Sequence, residues 1–389
     1  MYFLLCACCM QLVINAGSSS LKWAVFASLR SSEPVLEGVF ERIGGDCLLR
    51  YGRHESRVSA ADHSQAVQYL LDLLVEHRVC EESEVRSCVH RVVHGGERYS
   101  EPVLVDERVL ADIDSLSVLA PLHNPANLAG VRACMQVFSS ASQVAVFDTA
   151  FHQTIPEEVF LYAIPIELYK KHGIRKYGFH GISHSYIASL LRARYGRDVD
   201  AISCHLGSGS SVTALRAGVS VDTTMGFTPL DGLLMSTRSG ELDPEIPLFL
   251  MRQGGYSLEE VEELLSKRSG LFGLTGHADL REVWAEARRG GERCQLALEM
   301  LCYRVAFFVN ALKTATPRPR ALVFTAGIGE RAWYVRERVC EYLGVPVSRS
   351  ANKADEQVIS VGGDLDVLVL PTDEQLQMHV LSRLVLEDN

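Results

Sequence analysis

One design occurs twice in this chain, and it limits the possible folds more than any other feature. Val13-Ile14-Asn15-Ala16-Gly17-Ser18-Ser19-Ser20-Leu21-Lys22 is an apolar strand, a Gly/Ser turn and a second strand. About 190 residues further on, Ala201-Ile202-Ser203-Cys204-His205-Leu206-Gly207-Ser208-Gly209-Ser210-Ser211-Val212 repeats it. Turns built of small residues let backbone N–H groups approach an anion closely. The spacing therefore predicts a duplicated domain with one phosphate-gripping hairpin in each half. Two unrelated hairpins with ordinary Gly/Ser turns would look the same at the turns, so the flanking motifs must decide.

The surrounding pattern is α/β. Strand-like apolar runs at 12–14, 144–147, 201–204, 321–324 and 367–370 alternate with helical spacing. Val67, Leu70, Leu71, Leu74 and Val75 follow one helical face, and Ser257 with Glu260 forms a capping box ahead of another. Most strand runs end in a small or polar residue, where open α/β sheets place ligands. A length of 389 residues suits two domains, or three, at about 150 residues each, and no low-complexity linker divides them.

The charge balance, 38 basic against 48 acidic residues for a net −10, argues against binding nucleic acid by neutralising phosphates. A small anionic substrate stays compatible, because a few local basic residues can outweigh the global charge. No apolar run approaches the roughly 20 residues of a membrane span; the longest begins at Tyr2 and lacks a basic signal-peptide start. Eleven scattered cysteines read as the reduced thiols of a cytoplasmic protein. Cys6-Ala7-Cys8-Cys9 has no second pair at zinc spacing. Met10 leads directly into the first strand, and translation starting there is the expectation.

Local motifs narrow the chemistry. Gly-Lys occurs nowhere, which excludes a P-loop. Gly327-Ile328-Gly329-Glu330-Arg331-Ala332 fits the G-x-G-x-x-A pattern of a dinucleotide fingerprint, but no early βαβ unit accompanies it. His180 and His184 stand four apart without the rest of a metal motif. Charged residues in Gly-rich or loop-like settings carry more weight. They are Arg91 in His90-Arg91-Val92-Val93-His94-Gly95-Gly96, Asp148 after a strand, Arg238 in Ser236-Thr237-Arg238-Ser239-Gly240, Asp279 and Arg281, and Glu374 after Pro371-Thr372-Asp373. Singly, each is ordinary surface or structural charge. Together with Lys22 they supply guanidiniums, an ammonium and carboxylates beside phosphate-type turns. Phosphoryl transfer between two anions needs that inventory.

Ordered motifs through nearly the whole chain resemble the acetokinase family. They are VINAGSSSLK from Val13, HRVVHGGERY from His90, PLHNPANL from Pro121, VFDTAFHQTIP from Val146, YGFHGISH from Tyr177, CHLGSGSSV from Cys204, MGFTPLDGLLMSTRSGELDP from Met225 and FTAGIGE from Phe324. The resemblance implies duplicated actin-like (ribonuclease H-like) α/β domains with a nucleotide and substrate cleft between them. The expected domains are 1–148 with 376–389, and 149–375. It implies transfer of the ATP γ-phosphoryl to acetate, giving acetyl phosphate and ADP, with Mg²⁺ (or Mn²⁺) as cofactor and a homodimeric assembly.

Residue by residue, the resemblance makes Asn15, Ser18, Ser20 and Lys22 the first phosphate hairpin, with Asn15 and Glu374 placed for the metal. Arg91 and Arg238 hold the carboxylate and the phosphoryl group in flight, His180 donates to the transition state, and Asp148 is the central carboxylate. His205, Gly207, Ser208 and Gly209 belong to the second hairpin. Asp279, Leu280 and Arg281, with Gly327, Ile328, Gly329 and Glu330, belong to the nucleotide cleft. Val93, Leu122, Phe179 and Pro229 cap the substrate methyl. A carboxylate nucleophile is already ionised at neutral pH, so Asp148 is expected to orient an arginine or a metal-bound water more than to act as a base.

The family pattern is broken at Ser208, Ser236, Arg331 and Gln375, where Asn, Gly, Asn and Glu are usual. Other activities considered are a propionate or other short-chain acyl kinase, an actin-like ATPase used for binding or assembly, and an NAD-dependent dehydrogenase. The paired Arg91 and Arg238 speak against the ATPase, which needs a water-positioning group instead of a carboxylate clamp. The dehydrogenase rests on G-x-G-x-x-A alone.

Overall fold

The structure is a computed structural model that describes residues 10–121 and 123–387. The Cys6–Cys9 cluster, the residues before Met10 and Leu122 lie outside the described residues. The chain forms two compact units, one running to Phe151 and resuming at Asp373, the other His152–Thr372.

The first unit is built on eight strands in the order β5-β4-β3-β2-β1-β6-β8-β7. They are β1 Met10–Ala16, β2 Ser20–Phe26, β3 Leu36–Glu41, β4 Leu48–Tyr51, β5 His54–Arg57, β6 Val85–Val92, β7 Val103–Leu104 and β8 Ser142–Phe147. The hairpin seen in the sequence is β1–β2, antiparallel, with Asn15 opposite Lys22 and Ala16 opposite Leu21. Then β6 pairs parallel with β1, and β8 parallel with β6. The period of two along β1 separates its faces. Leu12, Ile14 and Ala16 enter a core with Ala66, Val67, Leu70 and Leu74 of the helix His63–Glu76, and with Ala133 and Cys134 of the helix Asn124–Val137. On the other face Gln11 bonds His379 and Ser382 of the helix Glu374–Leu386. Both faces of β1 are thus covered, which explains its apolar run without alternation.

The second unit contains β9 Ala201–Leu206, β10 Ser210–Arg216, β11 Val219–Thr223, β12 Ala321–Thr325 and β13 Asp366–Val369, in the order β11-β10-β9-β12-β13. The β9–β10 hairpin is antiparallel and β10–β11 likewise, while β12 runs parallel to both β9 and β13. The first unit's β3-β2-β1-β6-β8 has the same order and the same directions. The repeat in the sequence is therefore a repeat of topology.

The helix Glu292–Leu312 is, by length and composition alone, the one described helix apolar enough to cross a membrane. Its Cys294, Ala297, Leu301, Val305, Val309 and Leu312 lie in the core of the second unit with Ile202, Cys204 and Val212. It is a core helix with one apolar face still exposed, at Leu296, Met300, Tyr303 and Phe307. The capping box at Ser257 is present, with Ser257 Oγ accepting from Glu260 N and Glu260 accepting from Ser257 N.

Three histidines of the first unit, His90, His94 and His379, are buried and pushed down to about 4, by desolvation first. His90 Nε2 donates to Gln143 Oε1 at 2.8 Å, and its Nδ1 has no hydrogen-bond partner among the described residues, so the ring is neutral. Unfolded imidazoles take up protons near pH 6.5, the folded ones only near pH 4. Between these values the unfolded state binds more protons, so stability rises with pH across the window and falls on acidification. We expect the urea midpoint to drop from pH 7 to pH 5, with fully enclosed His90 alone contributing about 1–2 kcal/mol of that loss. An unchanged midpoint over that range would contradict the burial of these rings as neutral groups.

Candidate active site

In the first unit, functional side chains gather where β1, β6 and β8 end. Arg91 is the seventh residue of β6 and Asp148 follows β8 directly. Parallel neighbours place these carboxyl ends side by side, with Arg91 opposite Val146. Arg91 Nε donates to Asp148 Oδ2 at 3.0 Å and its Nη2 donates to the same oxygen, while Nη1 donates to Asn15 Oδ1 at 3.3 Å. The Asp148 side chain is 1% exposed and that of Arg91 20%. Burial by itself would lower the Arg91 pKa, but the charges of Asp148 and Glu374 outweigh it and raise it further. Its guanidinium is therefore a permanent cation, oriented at one end by a buried carboxylate. Glu374 opens the helix Glu374–Leu386, whose cap Asp373 accepts from Leu376 N.

The backbone around this cluster is fixed by two asparagines of PLHNPANL. Asn124 accepts from His94 N and donates to His94 O, bracketing the loop after β6. Asn127 accepts from Val93 N at 3.0 Å and donates to Ala16 O at 2.7 Å, tying that loop to the end of β1. A Cβ at Gly130 would lie 2.6 Å from that of Ala16, so only glycine lets the helix rest on the first hairpin. His63 Nε2 donates to Gly17 O at the turn itself. Ser18 and Lys22 remain exposed there and Ser20 half-buried, their polar groups on the solvent side of a braced turn. The sequence motif was visible, but the bracing role of Asn124 and Asn127 depends on contacts up to 111 residues apart.

In the second unit, His180 caps the helix Gly181–Tyr195 with φ 55°, so the pair His180/His184 straddles the helix start. Ser211 of β10 bonds both rings, to His180 Nδ1 at 3.0 Å and His184 Nε2 at 2.8 Å. His205 stacks on His180 with centroids 4.2 Å apart and bonds Ser183 at 2.8 Å. A Cβ on Gly209 would come within 3.2 Å of His180 Nε2 and 3.5 Å of Arg238 Nη1, so the hairpin tip, the imidazole and the guanidinium converge. Arg238 Nη1 also donates to Pro229 O at 3.2 Å. Phe179 is buried, its carbonyl accepting from His152 Nε2, and Val93 of the first unit is buried too.

The same hairpin walls a cavity of about 820 Å³ within the second unit. Gly207, Ser208, Gly209, Asp279, Leu280, Arg281, Gly327 and Ile328, all singled out in the sequence, line it. His205, Gly329 and Glu330 do not. Gly329 is buried with its carbonyl held by Arg336, and Glu330 accepts from Thr372 N. Ser236 and Arg331, two of the departures from the family pattern, do face the cavity, as do Thr237, Trp284 and Tyr334. Trp284 and Tyr334 stack at 3.9 Å and form an aromatic wall that spacing alone did not reveal. Asp279 caps the helix Leu280–Arg288 and is held below its usual range by Arg281, whose side chain it binds at the cavity rim. Gly327 to Arg331 of the G-x-G-x-x-A run lie within the helix Ala326–Arg331, which starts immediately after β12 and is capped by Ala332. It has no free strand-to-helix turn of the dinucleotide kind, and the dehydrogenase alternative loses its support.

Two α/β units of one topology, each with a Gly/Ser hairpin beside an arginine, define a duplicated actin-like fold of the phosphotransferase class. A sequence model of the acetokinase family matches residues 10–379. The acetate kinase of Thermotoga maritima is 44% identical over 388 residues, covering 94% of this chain and 96% of that protein. Among solved structures, a propionate kinase from Francisella tularensis aligns with a TM-score of 0.92 and 39% identity, covering 96% of this chain and 98% of that one. The Porphyromonas gingivalis acetate kinase aligns with a TM-score of 0.89 and 36% identity, over 97% and 100% of the two chains. This chain belongs to the acetokinase family, and is thereby a kinase whose co-substrate pair is ATP and ADP.

Proposed function

We propose that this protein transfers the γ-phosphoryl of ATP directly to acetate, reversibly and in line, giving acetyl phosphate and ADP. The observation that carries the proposal is the Arg91 guanidinium, fixed by buried Asp148 and by Asn15 at the strand ends. Acetate and a phosphoryl group are both anions, so their approach is the main barrier, and preorganised cations lower it. The oxygen of acetate that attacks phosphorus needs no proton removed. Asp148 accordingly orients Arg91 and is not needed as a base.

Arg91 in the first unit and Arg238 with His180 in the second are the catalytic groups of this reading. Ser18, Ser20, Lys22 and the Gly207–Gly209 turn hold phosphates. The cavity beside Trp284 takes the nucleoside, and Val93 abuts the acetate methyl.

The metal reading fits the donor set. No group of three or more His, Cys, Asp or Glu side chains gathers among the described residues. Asn15 and Glu374 offer few protein oxygens, which suits Mg²⁺, an ion that keeps several waters and binds substrate phosphates. When bound, Mg²⁺ neutralises phosphoryl charge. The eight cysteines of the described residues are buried and free, which fits a reducing cytoplasm. The exposed stripe Leu296, Met300, Tyr303 and Phe307 follows one side of the helix Glu292–Leu312 and suits a second copy of this chain.

A propionate kinase activity is the second reading, favoured by the likeness to the Francisella protein. Kinetics and solution mass test these proposals. ADP release should depend on acetate, and Arg91→Ala and Arg238→Ala should each lower kcat by about 30- to 1000-fold, the equivalent of about 2–4 kcal/mol, with far-UV circular dichroism retained. Near-wild-type turnover in either variant would remove that arginine from the mechanism.

Val93 is β-branched, and its backbone N–H is held by Asn127, so it sets pocket depth rigidly. Acetate should be preferred over propionate by no more than the value of one methylene, about 1–3 kcal/mol. Val93→Ala should shift the ratio of kcat/KM values towards propionate; an unchanged ratio, or a wild-type preference for propionate, would refute the pocket assignment. Light scattering should give a mass near twice the 43.0 kDa of the chain, and a monomer would leave the apolar stripe without its proposed partner.

A further inference from the structure

A chain of three hydrogen bonds runs from the interior of the second unit to the His180 ring. Ser203 Oγ lies 3.0 Å from His184 Nδ1, His184 Nε2 lies 2.8 Å from Ser211 Oγ, and Ser211 Oγ lies 3.0 Å from His180 Nδ1. Ser203, His184 and Ser211 are all fully buried. Desolvation, then the neighbouring rings of His152 and His205, keep the His184 pKa well below the usual imidazole range, so this ring is neutral. A neutral imidazole has one N–H and one acceptor nitrogen, and a hydroxyl has one proton. The chain therefore has two self-consistent directions.

In one direction, Ser203 O–H donates to His184 Nδ1, His184 Nε2–H donates to Ser211 Oγ, and Ser211 O–H donates to His180 Nδ1. The His180 proton then sits on Nε2. In the reverse direction, His180 Nδ1–H donates to Ser211 and Nε2 carries a lone pair. Nε2 is the nitrogen that meets the Gly209 tip beside Arg238 Nη1. A phosphoryl oxygen there is repelled by the lone pair and bound by the N–H. The groups facing His180 include the stacked ring of His205, the Arg238 guanidinium and, through Ser211, His184.

We propose that Ser211 and His184 are positioning residues that set the tautomer of His180, so that its Nε2–H faces the phosphoryl group without the ring being protonated. The proposal rests on the reading of His180 as a donor to the phosphoryl in flight. The elements involved are fixed relative to one another. Ser203 and Ser211 lie on the paired strands β9 and β10, and His180 and His184 bracket the first turn of one helix, with His184 N donating to His180 O. Hydrogen bonds that donate and accept in series strengthen one another, so the orientation is passed along the chain.

The test uses the full-length enzyme with ADP, Mg²⁺ and aluminium fluoride as the phosphoryl mimic, and reads the His180 tautomer by imidazole ¹⁵N NMR. Wild type should show the Nε2–H form, and Ser211→Ala a mixture. In turnover, Ser211→Ala should lose about 10- to 100-fold in kcat with little change in KM for ATP or acetate. Ser211→Thr, which returns the hydroxyl, should restore activity.

An Nδ1–H tautomer in the wild-type complex overturns the proposal, and this measurement stands even if Ser211→Ala does not fold. Full activity in His180→Ala would instead remove the donor role on which the proposal rests. Loss in His180→Ala with none in Ser211→Ala would leave that role intact and refute the relay.

Discussion

The Arg91–Asp148 pair is the interaction on which the arrangement of the first unit depends. A guanidinium and a carboxylate taken out of water are costly, and their attraction offsets that cost only when geometry and further hydrogen bonds are good. Here both partners come from the carboxyl ends of adjacent parallel strands, so sheet register delivers the geometry. Asn15, at the end of the neighbouring β1, satisfies a further donor. Removing Asp148 would leave Arg91 charged and without its buried partner, so the pair is both a structural clamp and the means of aiming a cation. The free face of such a guanidinium is preorganised for a carboxylate or phosphate oxygen.

The second unit places serines and histidines where the first has an ion pair. Its β9–β10 hairpin carries Ser211 under His180 and His184, and its Gly209 tip admits the ring edge and Arg238 at close range. The buried network of serines and histidines is satisfied link by link, which is the condition under which a polar core is specific instead of costly. A Cβ at Gly209 would crowd both the histidine and the arginine. One topology thus carries an ion-paired cluster in one copy and a chain of serine–histidine hydrogen bonds in the other.

Much of this was legible in the sequence because it is local. The two Gly/Ser hairpins, the strand runs near residues 12–14 and 201–204 and the Ser257 capping box depend on periodicity and turn chemistry within about ten residues. The charged inventory was legible as well: Arg91, Asp148, Arg238 and Glu374 stood out through their Gly-rich or strand-end settings. The wall of Trp284 and Tyr334 was not legible, since 50 positions separate the two rings and either would pass for an ordinary core aromatic. Nor was the use of His184, which four-residue spacing associates with metals and which the structure gives to Ser203 and Ser211.

The sequence by itself determined the elements, the duplication and the kinds of charge beside the turns, because those are properties of neighbours along the chain. Only the tertiary structure decided which charges became partners. Parallel register at β6 and β8 made Arg91 and Asp148 a pair, and the antiparallel register of β9 and β10 brought Ser203 and Ser211 to one histidine. Asp279 and Arg281, equally prominent as residues, were left as an exposed local ion pair at the cavity rim. The physical reason is that a charge acquires its role from burial and from the atoms within about 3 Å of it, and both are set by contacts between segments distant in the chain.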